Sequence, residues 1–121
     1  MDRRGELGRR GEGLAEAFLR QSAYTIVARN YRCRLGEIDL VALDGAVLVF
    51  VEVRSRSGPA FGTPLESVDA RKQIRLGRIA RQFLAERRWH DRDARFDVIG
   101  VRFDEDPPRV EHVQGAFELG A

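Results

Sequence analysis

The sequence predicts an α/β fold in which a central mixed sheet is flanked by helices, in the order α-β-β-β-α-β-β. Three observations carry this. Two segments, Glu6 to Gln21 and Ser67 to Arg87, repeat apolar residues at helical spacing. Several shorter segments are rich in β-formers and alternate with period two. Between two of them stands Asp44-Gly45, the strongest short-range signal for a two-residue hairpin turn.

Each element has its own reason. Leu7, Gly11, Leu14, Ala15, Phe18 and Leu19 share one face of the first helix. Tyr24 to Tyr31 alternates loosely and predicts a first strand, followed by polar Arg32 to Leu35 and Gly36. Glu37 to Leu43 and Ala46 to Val53 form the hairpin around Asp44-Gly45. Ser57 to Pro64 carries two Gly and two Pro and predicts a loop. In the second helix Leu76, Ile79, Ala80, Phe83 and Leu84 face a core, while Arg71, Arg75, Arg78, Arg81 and Gln82 turn outward. Arg95 to Phe103 alternates as a strand, Pro107-Pro108 breaks the chain, and Arg109 to Val113 adds a final strand. No repeat, low-complexity tract or linker divides residues 1–121, so a single domain is expected.

The 121 residues suffice for one core and hence one site. No apolar run approaches the roughly 20 residues a bilayer crossing needs, and the N-terminus opens with charge, so a cytoplasmic protein without a membrane partner is expected. Cys33 is the only cysteine, which excludes an internal disulfide and a cysteine-pair zinc site and makes it a packing residue. A net charge of +2 announces no partner by itself, but its distribution is uneven. Arg3, Arg4, Arg9 and Arg10 crowd the start, and Arg71 to Arg88 holds seven basic residues against one acid, Glu86. The stretch from Asp104 onward is acidic. Twenty of the basic residues are arginine and one, Lys72, is lysine.

Strand alternation places Glu37 and Asp39 on one face, and Glu52 and Arg54 on one face of the next strand. A turn centred on Asp44-Gly45 would pair Leu43 with Ala46, Asp39 with Phe50 and Glu37 with Glu52. Glu37, Asp39, Glu52 and Arg54 then share a face, with Asp39 diagonal to Glu52 and within reach of a bridging cation. Ile38, Leu40, Val47, Val49, Val51 and Val53 supply a core on the opposite face. Like charges across a sheet repel, so something cationic belongs among these acids, and hard oxygen ligands suit Mg²⁺ or Mn²⁺. At about 100° per residue Lys72 lies in line with Leu76, Ile79 and Phe83 and points inward, toward the acids or a phosphate oxygen. It reads equally as one end of a structural ion pair. Glu12 borders the first helix's apolar stripe and can reach the same pocket. Outward Arg71, Arg75 and Arg78 suit phosphate contact as well as a solvated helix face. His90, His112 and Trp89 read as surface or packing residues.

Gly36-Glu37-Ile38-Asp39-Leu40 followed by Val49-Phe50-Val51-Glu52-Val53-Arg54 resembles the core of the YraN-like family, related to archaeal Holliday-junction resolvases and the PD-(D/E)xK nucleases. Gly11-Glu12 with Ala15, Arg29-Asn30-Tyr31, Phe61-Gly62, Val68-Asp69, Arg71-Lys72-Gln73 and Arg95-Phe96-Asp97-Val98 extend the likeness over nearly the whole chain. The resemblance implies a restriction-endonuclease-like core and a Mg²⁺-dependent endonuclease acting on DNA, including branched or structured DNA. It also implies a homodimer, since cutting a four-way junction needs two sites. By that likeness Asp39 and Glu52 are metal-binding acids, Glu12 is the helical acid, and Arg54 stands where the family's catalytic lysine is expected; Ile38 stands where the superfamily name has Pro. Guanidinium stays protonated and cannot act as a base, but it can orient and stabilise a phosphate, with Glu37 and Lys72 completing the site. The competing expectation, motivated by Arg54, is a nucleic-acid-binding or scaffold module that keeps the fold without turnover. A purely structural interaction protein would instead show no salt-sensitive affinity for nucleic acid.

Overall fold

The computed structural model describes residues 3–58 and 63–118. The side chains of Arg3 and Arg4, and residues 59–62 of the expected loop with Phe61-Gly62, lie outside the described residues. Two helices, α1 (Arg3–Gln21) and α2 (Ala70–Arg87), flank five strands: β1 (Thr25–Cys33), β2 (Gly36–Asp44), β3 (Val47–Arg56), β4 (Ala94–Arg102) and β5 (Arg109–Phe117). The expected order is the observed one. The strands lie side by side in sequence order; β3 and β4 are parallel and every other neighbouring pair is antiparallel. A hairpin can join only antiparallel strands, so the β3-to-β4 connection is where the sequence spends a helix. Asp69 caps α2 by accepting the Lys72 amide at 2.8 Å, and a 3-10 turn over Leu65–Ser67 leads into it, so the helix begins later than the expected Ser67. The final strand runs past Val113 to Phe117.

Each face of the sheet has its own core. On the α2 side Leu76, Ile79, Ala80 and Phe83 pack on Ile38, Val41, Leu48, Phe50, Phe96 and Val98. Phe50 lies at the centre, its ring 5.8 Å from Phe83 and 5.3 Å from Phe96. Burying each such side chain contributes about 1.5–3 kcal/mol. On the α1 side Ala15 and Leu19 pack on Leu40, Ala42, Val49, Val51, Ile99 and Val101. Trp89 is a packing residue, edge-on to Phe83 at 6.0 Å and covered by the Arg92 guanidinium at 4.5 Å.

Two expectations about the hairpin need correction. The tight turn is Gly45-Ala46, with Asp44 paired to Val47, because Gly45 takes the positive φ of 61° that the first central position of such a turn requires. The register therefore slides by two residues, to Leu43↔Leu48 and Leu40↔Val51. A shift of two preserves the faces, so the grouping of acids does not depend on it. Ile38, expected with Leu40, packs instead with Val41 on the α2 side. Residues three apart share a side only where alternation fails, and it fails at Asp39.

Close approach of α1 to β3 depends on Gly11. A methyl group there would overlap Ser55 Oγ, a buried hydroxyl for which the described residues show no hydrogen-bond partner. Gly11→Ala is expected to destabilise the protein by about 1–3 kcal/mol despite alanine's better helix propensity. Ser55→Ala in the same chain should recover most of the loss, since Oγ is the atom displaced. Urea melts of the two single variants and the double give the coupling; additive effects would remove this account.

Candidate active site at the open end of the hairpin

The paired ladder of β2 and β3 ends at Leu40↔Val51, and the polar residues gather where the strands part. Beyond that point Asp39 Oδ2 accepts the Val53 amide at 2.8 Å, so a side chain takes the donor that a neighbouring strand's carbonyl would otherwise hold. Glu52, only 4% exposed, lies beside it, close enough to share a hydrogen bond with a protonated Asp39. From α2, Lys72 Nζ reaches Glu52 Oε2 at 2.6 Å. Arg54 Nη1 stands 3.6 Å from the same oxygen, while its Nε donates to Ser67 Oγ at 3.0 Å and its Nη2 to the Ser67 carbonyl at 3.4 Å. Gly36, Glu37, Asp39, Glu52, Lys72, Arg75, Leu76 and Ile79 line a cleft of about 270 Å³.

Electrostatics single out one group. Burial, then the Glu52 charge, push the Asp39 carboxyl up to about 8; the Val53 amide opposes this, and a hydrogen bond with Glu52 and the charge of Glu12 add to it. A cation entering between such a carboxyl and a second carboxylate would favour the ionised form of both.

The other expected residues fall around this pair. Glu37 lines the cleft with Asp39 and Glu52, and its carboxylate accepts from Asn30 Nδ2 at 2.7 Å and Arg32 Nε at 3.2 Å. Glu12 accepts from Asn30 Nδ2 at 2.9 Å and lines a separate cleft with Arg54, Arg56 and Ser67. Arg71 and Arg78 are exposed on α2 with Ile74, and Arg75 stands at the rim of both this surface and the acidic cleft. His112, expected as an ordinary surface or packing residue, packs edge-on against Phe18 and Tyr24 and also shares a 2.7 Å hydrogen bond with fully buried Asp97. Asn30 and Ser67 carry contacts at the site that the sequence alone does not assign to them. For Asn30 the available signal was its residue type, since Asn tolerates positive φ and adopts 49° here.

Residues 11–101 match the family described as Uncharacterised protein family UPF0102. The chain belongs to the UPF0102 family. A UPF0102 protein of Moorella thermoacetica is 51% identical over 117 residues, 95% of each chain. One of Pseudomonas aeruginosa is 49% identical over 114 residues, covering 92% of this chain and 91% of the relative. One of Geobacter metallireducens is 46% identical over 113 residues, 93% of each. The UPF0102 match takes in every residue of the acidic cleft and stops before β5.

Among the described residues of this UPF0102 chain, no three His, Cys, Asp or Glu side chains are placed to enclose a metal, which leaves no cage of the structural zinc type. Mg²⁺ and Mn²⁺ ask for less: one or two carboxylates, with waters and substrate phosphate completing the shell. Asp39 and Glu52 fit that demand in number and in donor chemistry, and burial followed by the Glu52 charge is what raises the Asp39 carboxyl. No helix among the described residues is long and apolar enough to cross a membrane.

Proposed function

We propose that this UPF0102 chain is a cytoplasmic Mg²⁺- or Mn²⁺-dependent endonuclease that hydrolyses phosphodiester bonds in DNA, with branched or structured DNA as substrate. The observation that carries the reading is half-buried Asp39 beside buried Glu52 at the mouth of an open hairpin, with Lys72 and Arg54 against Glu52. When bound, the divalent ion supplies Lewis-acid polarisation of the phosphate and a more acidic water. Asp39 and Glu52 would hold it. Lys72, which lines the cleft with Arg75, would leave Glu52 for a phosphate oxygen. Arg54 cannot deprotonate; braced by Ser67, it would orient the scissile group and stabilise its developing charge. Arg71, Arg75 and Arg78 would hold flanking backbone through salt-sensitive contacts that read little sequence. Two copies would be needed to cut both strands of a four-way junction, and we include a homodimer in the proposal for that reason.

A second reading has its own observation. Lys72 already balances Glu52 at 2.6 Å, and Arg54 takes the place of a lysine able to shed its proton. The chain would then bind nucleic acid without cutting it. Incubation with labelled fork, flap, four-way and single-stranded DNA in Mg²⁺ or Mn²⁺ separates the two. The enzyme reading expects cleavage that drops at least about 100-fold in Glu52→Gln. Binding that weakens with salt, with no cleavage in any metal, selects the second reading. Arg54→Lys should raise turnover if the natural site is attenuated at that position.

A further inference from the structure

We propose that Asn30 is a positioning residue: its side-chain amide holds the corner of β1 and β2 in a switched geometry that turns the Asp39 carboxylate onto β3. Side-chain alternation breaks in both strands. In β1, Ala28 and Tyr31 both pack on the α2 side although they are three residues apart. In β2, Ile38 and Val41 do the same. The ladder keeps Arg29↔Leu40 and Tyr31↔Ile38 in one register and has no Asn30↔Asp39 pair between them. Both strands therefore change sides at facing positions, and Asn30, at φ 49°, is the left-handed residue of the two. Asn bears that conformation more readily than most residues.

Backbone tolerance alone does not explain where its amide points. Asn30 Nδ2 donates to Glu12 Oε1 of α1 at 2.9 Å and to Glu37 Oε1 of β2 at 2.7 Å. One neutral donor thus ties α1, β1 and β2 together and sits between two carboxylates that would otherwise repel. It holds both acids to itself, while Asp39, between the two strand positions that lost alternation, turns to the Val53 amide. Charge-assisted bonds of this kind are about twice as strong as neutral ones, which suits them to fixing a corner.

The test uses two variants of the full chain. Asn30→Gly keeps the left-handed backbone and removes the amide; Asn30→Asp keeps the shape and sets a third carboxylate against the other two. Amide hydrogen exchange in EDTA should show Val53 protection falling about 10-fold or more in both, with Val49 and Val51 in the same strand unchanged. Val53 protection equal to wild type in both variants overturns the proposal. So does a general loss of protection across β3 and β4 in Asn30→Gly, because the amide would then hold the fold rather than one carboxylate. A second arm rests on the metal-dependent reading of Asp39 and Glu52: the same variants should bind Mn²⁺ about 10-fold more weakly. A wild-type chain that binds no Mn²⁺ ends that reading, and the exchange result still decides for or against Asn30.

Discussion

Asp39→Asn is expected to abolish turnover and, in the metal-free protein, to raise stability. The asparagine oxygen can still accept the Val53 amide, so the hydrogen bond that ends the hairpin survives. What disappears is the ionisation. The folded carboxyl is pushed up to about 8, while in the unfolded chain it titrates near an ordinary aspartate's ~3.9. Below about pH 4 both states hold the proton; between there and about pH 8 the unfolded state releases it first, so stability falls as pH rises through that window. At about 1.4 kcal/mol per pKa unit the full shift sets a ceiling on the order of 5 kcal/mol, and water in the open cleft reduces it to roughly 2–4. Thermal melts in EDTA at pH 5 and pH 8 check this. Wild type should lose more stability between the two than Asp39→Asn, and the variant should be the more stable at pH 8. Identical pH dependence in the two proteins would mean that Asp39 is not the strained group. On the activity side the loss should be on the order of 10³-fold, since a neutral amide neither attracts a divalent ion as strongly nor balances its charge.

Asp97→Ala should have the opposite sign and the largest effect on folding. Asp97 is fully buried and accepts from Arg95 Nε at 2.9 Å and the Gly115 amide at 3.0 Å, besides its bond with His112. Arg95 continues to the Tyr24 hydroxyl at 2.7 Å and to Asp44 at 3.2 Å, and Gln114 donates to the same hydroxyl at 3.1 Å. The network joins β5 to β4, to the connection between α1 and β1, and to the hairpin. Removing its acceptor leaves a guanidinium and an imidazole without their buried partner, at a cost of about 3–5 kcal/mol. Urea unfolding at pH 7 should show that loss; less than about 1 kcal/mol would demote the network to a surface-like contact. Burial alone would raise the Asp97 carboxyl, but His112, Arg95 and the Gly115 amide overcome it and hold the pKa below the usual aspartate range. A depressed acid contributes stability that is present above the unfolded pKa and is lost as pH falls through the folded one. Wild type should therefore lose an acid-sensitive part of its stability that Asp97→Ala never had.

The two effects differ because half-buried Asp39 and fully buried Asp97 have different company. Asp97 meets donors on three sides, and Asp39 meets one amide and a second acid. The sequence offered a reason to look at Asp39, through period-two spacing and the motif around it. Asp97 entered only as part of Arg95-Phe96-Asp97-Val98 in the family likeness, without a role, because its partners Arg95 and His112 lie on two different strands.

Element order, the hairpin, the apolar faces of both helices and the inward aim of Lys72 were all legible from the sequence, because each depends on local spacing: 3.6 residues per helical turn, two per strand repeat, and a turn that needs glycine. Local spacing also brought Asp39 and Glu52 to one face, and a two-residue error in register left that intact. Tertiary structure decided what spacing cannot carry. Alternation fails at Asn30 and Asp39, so Ile38 changes layers and the Glu37 carboxylate takes donors from Asn30 and Arg32. Such a failure arises from contacts between residues distant in the chain, Asn30 with Glu12 and Asp39 with Val53, and no periodic pattern within a single segment records them.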